Sequence, residues 1–180
     1  KKKLFRVVLE EVTKTFRSNS LRAILEETPS LLETPLGQAR ALRLIVHSKM
    51  VSLFQSEDPQ WYCKVIFQVF RDQGPMRDWL FKEVLRPWLE AVEEVFRSIS
   101  PGLDREETFF HSFLLVTPLV FHANYMDAIL AYTGKSGFSR EYFQMLENIL
   151  VRQVQCYFDL PHDLQVRNEM NGMEGVGNSD

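Results

Sequence analysis

Cysteine is scarce in this chain, and its scarcity removes two classes of protein at once. Cys63 and Cys156 are too few to staple a small secreted domain, and neither stands at metal-ligand spacing. A reducing cytoplasm is the natural setting. Histidine is nearly as thin: His47, His111, His122 and His162 form no i, i+4 pair with one another or with a cysteine. No zinc or haem motif follows, and neither a metal nor a cofactor is expected. The eight glycines build no phosphate-cradling loop and no nucleophile elbow, so the common catalytic signatures are missing and an enzyme is not expected. Long apolar runs are missing too. The longest such stretch, Phe109 to Tyr132, is interrupted by His, Pro, Asn and Asp, short of the roughly eighteen uncharged apolar residues that mark a membrane span. The start carries no signal-peptide pattern. Charge is balanced, with a formal net charge of -3 and one basic cluster, Lys1 to Lys3, so these residues alone do not make a nucleic-acid binder.

What is present is the material of one globular core. Hydrophobic residues make up 45% of the 180 and charged residues 25%, ordinary values for a folded domain. The aromatic set of 14 Phe, 5 Tyr and 3 Trp suits a core wrapped around an apolar cavity, although it equally suits a tight one.

Helix signals recur and strand signals hardly appear, so the fold class is all-α. Leu4, Val7, Val8, Glu11, Val12 and Phe16 have helical spacing, and the segment plausibly continues through Leu21, Ile24 and Leu25. Thr34 before Pro35 reads as an N-cap and a first-turn proline, opening a helix through Ala39, Leu42, Ile45, Val46, Met50 and Phe54. Asp58 and Pro59 repeat that signal before a helix of about 60 to 72, whose broad apolar arc of Tyr62, Val65, Ile66, Val69 and Phe70 predicts a central position. Gly74 and Pro75 start the next helix, Met76 to about Ser98, in which Pro87 removes a hydrogen bond and should bend the axis. Asp104 with Glu107 has the spacing of a capping box. The helix it opens is apolar on nearly every side and should be covered on nearly every side. Gly134 to Gly137 is a loop, and a last helix runs from about Ser139 to Phe158. Residues 161–180 lose periodicity and read as a disordered tail.

Adjacent carboxylates such as Glu93 with Glu94 point different ways on a helix and read as solvated charges, not acid–base pairs. His111 and His122 read as structural residues. Arg71 and Asp72 read as a helix-end ion pair.

The opening Lys1-Lys2-Lys3-Leu4, continuing to Glu11, resembles the start of the long helix after the helix-turn-helix in TetR/AcrR-type transcriptional regulators. Arg71-Asp72 followed by Pro75 is similar to an Arg-Glu…Pro step of the YbiH/CecR-like branch, with Asp72 in place of Glu. Glu83-Val84-Leu85-Arg86-Pro87 is similar to the Arg-Pro step that follows it. The resemblance covers roughly residues 1 to 158. It implies a TetR-type C-terminal regulatory domain of about six helices, the last two forming a four-helix bundle with those of a second copy. Residues 1–160 would bind a small hydrophobic or aromatic effector and dimerise, while operator DNA would be held by a helix-turn-helix expected upstream of Lys1. Lys1 itself is a candidate phosphate contact.

Candidate ligand contacts are Trp61, Tyr62, Ile66, Phe70, Trp79 and Phe113, bulky side chains on neighbouring helices, with His47 as a polar contact. Candidate dimer residues are Phe109, Val120, Phe143, Leu146, Ile149, Leu150 and Tyr157, more apolar surface than one small core covers. The competing reading is a helical protein-interaction module with a solid core and no ligand cavity; a pocket of about 300–1,000 Å³ separates the two.

Overall fold

The computed structural model describes residues 2–13, 21–55 and 61–161, and every regular element among them is helical. In chain order these are α1 (Lys2–Val12), α2 (Leu21–Glu27), a 3-10 turn (Pro29–Leu32), α3 (Pro35–Met50), α4 (Trp61–Arg71), α5 (Pro75–Leu80), α6 (Arg86–Ile99), α7 (Arg105–Asn124), α8 (Met126–Thr133) and α9 (Arg140–Tyr157). Two wider, π-helical turns interrupt the series, Val51–Gln55 after α3 and Phe81–Leu85 between α5 and α6. The expected tail, and the stretch through which the first helix was expected to continue, lie outside the described residues.

The helix starts follow from local chemistry. Thr34 accepts the Gly37 N–H at 3.1 Å and Pro35 fills the first turn of α3, where a missing N–H costs nothing. At α7 the Glu107 N–H donates to the Asp104 carboxylate at 2.8 Å and the Asp104 N–H donates back to Glu107 at 3.1 Å, a complete capping box. Ser139 caps α9 by accepting from the Tyr142 N–H. Gly134, at φ 66°, ends α8 in the left-handed conformation that glycine adopts without penalty.

The helix through Pro87 departs from an even bend. Pro87 stands in the first turn of α6, and the turn before it widens until the Arg86 N–H reaches the Phe81 carbonyl, five residues back. A proline ring crowds the preceding turn and lacks a donor. Widening that turn absorbs both effects.

The centre of the molecule is α3, not the aromatic helix around residues 60 to 72. α3 packs on α2, α6, α7 and α9, and buries Gly37, Ala39, Ala41, Leu42, Ile45, Val46 and Met50. Small residues decide this. Gly37 lies directly against the Leu31 carbonyl, where no side chain fits, and the alanines let neighbouring helices approach closely. The large side chains of α4 keep it at the flank, where Ile66 and Val69 join Leu9 of α1 and Leu80 of α5 in a smaller apolar cluster.

α7 is covered on one side only. Thr108, Ser112, Leu115, Val116 and Leu119 are buried, while Phe110, Phe113, Leu114 and Phe121 are exposed. The apolar stretch beyond it folds as a separate helix, α8, bent by 80° from α7. No single described helix is long and apolar enough to cross a membrane.

Candidate functional site: an apolar cavity between four helices

Beyond the C-terminal end of α3 the packing opens. A cavity of about 410 Å³ lies between the end of α3, α4, α6 and α7. Its walls are Leu53, Ile66, Phe67, Phe70, Val84, Leu85, Trp88, Leu89, Val116 and Val120, with Phe81, Phe109 and Phe113 completing the rim and Ser48, Lys49, Ser52, Ser112 and Thr117 as its polar members. Phe81, Phe109 and Phe113 are all exposed, so the cavity communicates with solvent on their side. The Phe109 and Phe113 rings stack there, with centroids 5.8 Å apart.

Both π-helical turns frame this space: Ser52 and Leu53 come from one, Phe81, Val84 and Leu85 from the other. A widened turn is a local departure from the best helix geometry and is found mostly where a site needs it. Here each one contributes side chains to the cavity wall.

The polar members are committed in one direction. Ser48, Ser52, Ser112 and Thr117 donate their hydroxyl protons to the carbonyls of Ile45, Ser48, Thr108 and Phe113, three or four residues back, at 3.1, 2.8, 2.8 and 2.7 Å. Lys49 lies over the Trp88 ring, 4.6 Å from its centroid. Outside the rim, Phe81, Leu89 and Phe109 also border an open groove of mixed charge that includes Arg22, Arg86, Glu90, Arg97 and Glu106.

Of the residues singled out from sequence, Ile66, Phe70 and Phe113 line the cavity, and the side chains of Trp61 and Tyr62 lie outside the described residues. Trp79 is elsewhere: it packs with the α1, α4 and α5 cluster, beneath the Arg6 guanidinium of α1. His47 also points away, its Nδ1 3.3 Å from Glu147 on α9. Phe109 and Val120, assigned to a dimer face, stand in the cavity wall. Leu150 is buried within the chain, and Phe143 and Leu146 are half-buried against the same core. Ile149 and Tyr157 are exposed. Lys1 lies outside the described residues.

Periodicity missed Lys49, Phe67, Trp88 and the two serines after His47. Phe67 was within reach, since with Ile66 and Phe70 it makes one helical stripe. The serines and Lys49 face the cavity because of where α3 ends, which periodicity does not encode.

A polar junction joins α3 to α9 on the opposite side of α3's last turns. Arg43 donates to Glu147 at 2.8 Å and to Asn148 at 3.1 Å, and His47 contacts the other oxygen of Glu147. Arg43 and Glu147 are 8% and 13% exposed. Burial pushes the Glu147 carboxyl up, but the hydrogen bonds from His47 and Arg43 outweigh it and hold the carboxyl below its ordinary value. Asp72 accepts from Gln68 on the surface, in place of the expected pairing with Arg71.

No family model, curated protein or solved structure matches this chain. Its function is therefore argued from the cavity and its connections.

Proposed function

We propose that this domain binds a small, mostly apolar molecule in the cavity between α3, α4, α6 and α7, and that it is the effector-binding, dimer-forming part of a ligand-responsive transcriptional regulator of TetR type. The cavity carries this reading. Its volume of about 410 Å³ falls within the roughly 300–1,000 Å³ of small-molecule sites, and apolar walls with a few fixed polar groups are their usual composition. A module built only to dock proteins gains nothing from such a void, since each unfilled space in a core forfeits contacts.

The surroundings give the cavity two routes outward. Ile66, Phe70 and Val84 line it and also belong to the cluster that holds Leu9 of α1. A ligand that shifts α4 therefore shifts the seat of α1, the helix nearest the DNA-binding segment expected upstream. Along the other route, α3 brings Ser48 and Lys49 to the cavity and reaches α9 through Arg43 and His47. Exposed Phe110, Leu114 and Phe121 on α7, with Ile149 and Tyr157 on α9, form the proposed contact with a second copy. Two recognition helices must lie about 34–36 Å apart to enter successive major grooves, so a small rotation of the copies releases the operator. The coupling needed is a difference in ligand affinity between two states, typically about 1–3 kcal/mol. Such a regulator works in the cytoplasm, without metal or catalysis.

The test is a thermal-shift screen of the chain against neutral and charged aromatic and aliphatic compounds, repeated on Val120→Trp, which fills the cavity from α7. Stabilisation of the parent chain by at least one chemical class, lost in Val120→Trp, supports the reading. A chain stabilised by none of them is an interaction module.

A further inference from the structure

We propose that the cavity's ligand is an apolar carboxylate, a compound with one anionic head and an aromatic or branched body. The inference rests on the cavity being a ligand site. It concerns what the site selects.

Among the described residues lining the cavity, Lys49 alone carries a charge. Its ammonium lies half-buried against Trp88, 4.6 Å from the ring centroid, and a cation on an aromatic face is held in place there. Three N–H groups on one nitrogen allow the ammonium to keep its present contacts and donate to a further acceptor. The hydroxyls around it do not compete for that role. Ser48 and Ser52, one and three positions from Lys49, give their protons to the Ile45 and Ser48 carbonyls, while Ser112 and Thr117 give theirs to carbonyls of α7. Each hydroxyl thus presents lone pairs inward. Among the described lining residues an anionic head has one side-chain donor to address, and that donor is charged.

The opposite charge is excluded by the same residue. A cationic guest would place like charge beside Lys49, whereas a neutral guest would offer the ammonium no charged acceptor. The remainder of the chamber is phenyl rings and aliphatic chains from four helices, a surface for a flat or branched body.

Three probes sharing one ring system test this on the full chain at neutral pH: 2-naphthoate, its methyl ester, and 2-naphthylmethylamine, each titrated by calorimetry. Naphthoate should bind at least about tenfold tighter than the ester, as expected for one charge-assisted hydrogen bond, and the amine should bind weakest. Lys49→Met should bring the acid down to the level of the ester, and Lys49→Arg should keep the preference. Ser52→Ala should change acid affinity less than about twofold, because its proton is already given to the backbone. An ester or amine that binds as tightly as the acid overturns the carboxylate assignment, as does a preference that survives Lys49→Met. In those cases the cavity still stands if Val120→Trp abolishes binding of every probe. If no probe binds the parent chain, the cavity reading falls and takes this assignment with it.

Discussion

The two ends of α3 are packed in opposite ways. Near its start, Gly37 touches the Leu31 backbone, Ala39 and Ala41 are sealed, and Gln38 donates both to Leu32 and to Ser98, at 3.1 and 2.9 Å, tying α3 to the end of α6. Past its end, Phe67, Phe70, Phe81, Phe109, Phe113 and Trp88 surround a void. Small side chains let backbones meet and leave nothing between them. Large rings hold helices apart, and where two turns are also widened the space between them stays open. One helix thus serves as an anchor at one end and a wall at the other.

The largest effect should come from the polar junction that ties the later half of α3 to α9. Arg43→Met leaves Glu147 buried with its shortest contact gone, and such removals cost about 3–5 kcal/mol. Adding Glu147→Leu should recover most of that loss, because a buried pair exchanged for apolar side chains of similar volume is often near neutral. Urea denaturation of the two variants beside the parent measures both steps. If the double variant is no more stable than the single one, the junction contributes through something other than paired charge.

A methyl group added to each end of α3's surroundings should read out the difference directly. In an exposed helix interior, alanine is about 1 kcal/mol better than glycine. At Gly37 the sign reverses, since the new carbon meets a backbone carbonyl that belongs to a hydrogen-bonded turn, and Gly37→Ala should cost about 1–3 kcal/mol. Val84→Ile adds a carbon that faces the cavity and should stay within about 0.5 kcal/mol of the parent while weakening ligand binding. Equal losses from both would mean that the chamber is not a real void.

What sequence reveals here divides along the same line. Thr34 with Pro35, Asp104 with Glu107, and Ser139 each act on their own backbone within three residues, so composition and spacing expose them. Aromatic bulk on residues 60 to 72 suggests depth, yet the glycine and alanines of α3, which attract little notice in a sequence, are the real sign of close approach. Arg43 and His47 stand four apart, on one face of the helix, a signal for a shared polar partner. That partner proved to be Glu147, about a hundred residues away, which no local pattern supplies. The cavity is less legible still, since a void belongs to four helices jointly and the widened turns that frame it leave no trace in periodicity. The surface from Phe109 to Phe121 is legible only in part for a related reason: all-round apolarity shows that a helix avoids water, but not what covers it.

A smaller effect follows from the titration of the junction. The folded Glu147 carboxyl lies below its ordinary value, so at intermediate pH the unfolded chain binds its proton more readily than the folded one. The stability this contributes is complete above the ordinary carboxylate value and is lost as pH falls through the lowered one. Stability measured downward from pH 7 should therefore decline less steeply in Glu147→Gln than in the parent. Parallel declines would assign the acid sensitivity to other carboxylates. The groups on this carboxyl are Arg43 and His47, and Asn148 accepts from Arg43 beside them, so the comparison is cleanest with all three intact.

The smallest effect on the fold is expected on the outer faces of α7 and α9, where the proposed contact between copies lies. Leu114 is 66% exposed and Ile149 49%, although Leu150, the next residue, is sealed in the core. Lysine is a good helix former, and a substitution at a site this open changes monomer stability by no more than about 0.5 kcal/mol. Leu114→Lys and Ile149→Lys should thus leave the unfolding of dilute protein almost unchanged. Their effect should appear in association. Contact between two copies is reciprocal, so one substitution places two new charges at the interface, and desolvating them offsets the apolar area that contact buries. Sedimentation at micromolar concentration should show a dimer for the parent and a shift toward monomer in each variant, larger in the double. Because a dimer's stability depends on protomer concentration, the parent's unfolding midpoint should rise with concentration while the double variant's stays constant. A monomeric parent, or a dimer indifferent to both substitutions, would leave the exposed apolar surface of α7 and α9 to a different partner and separate the cavity from any change in spacing between two copies.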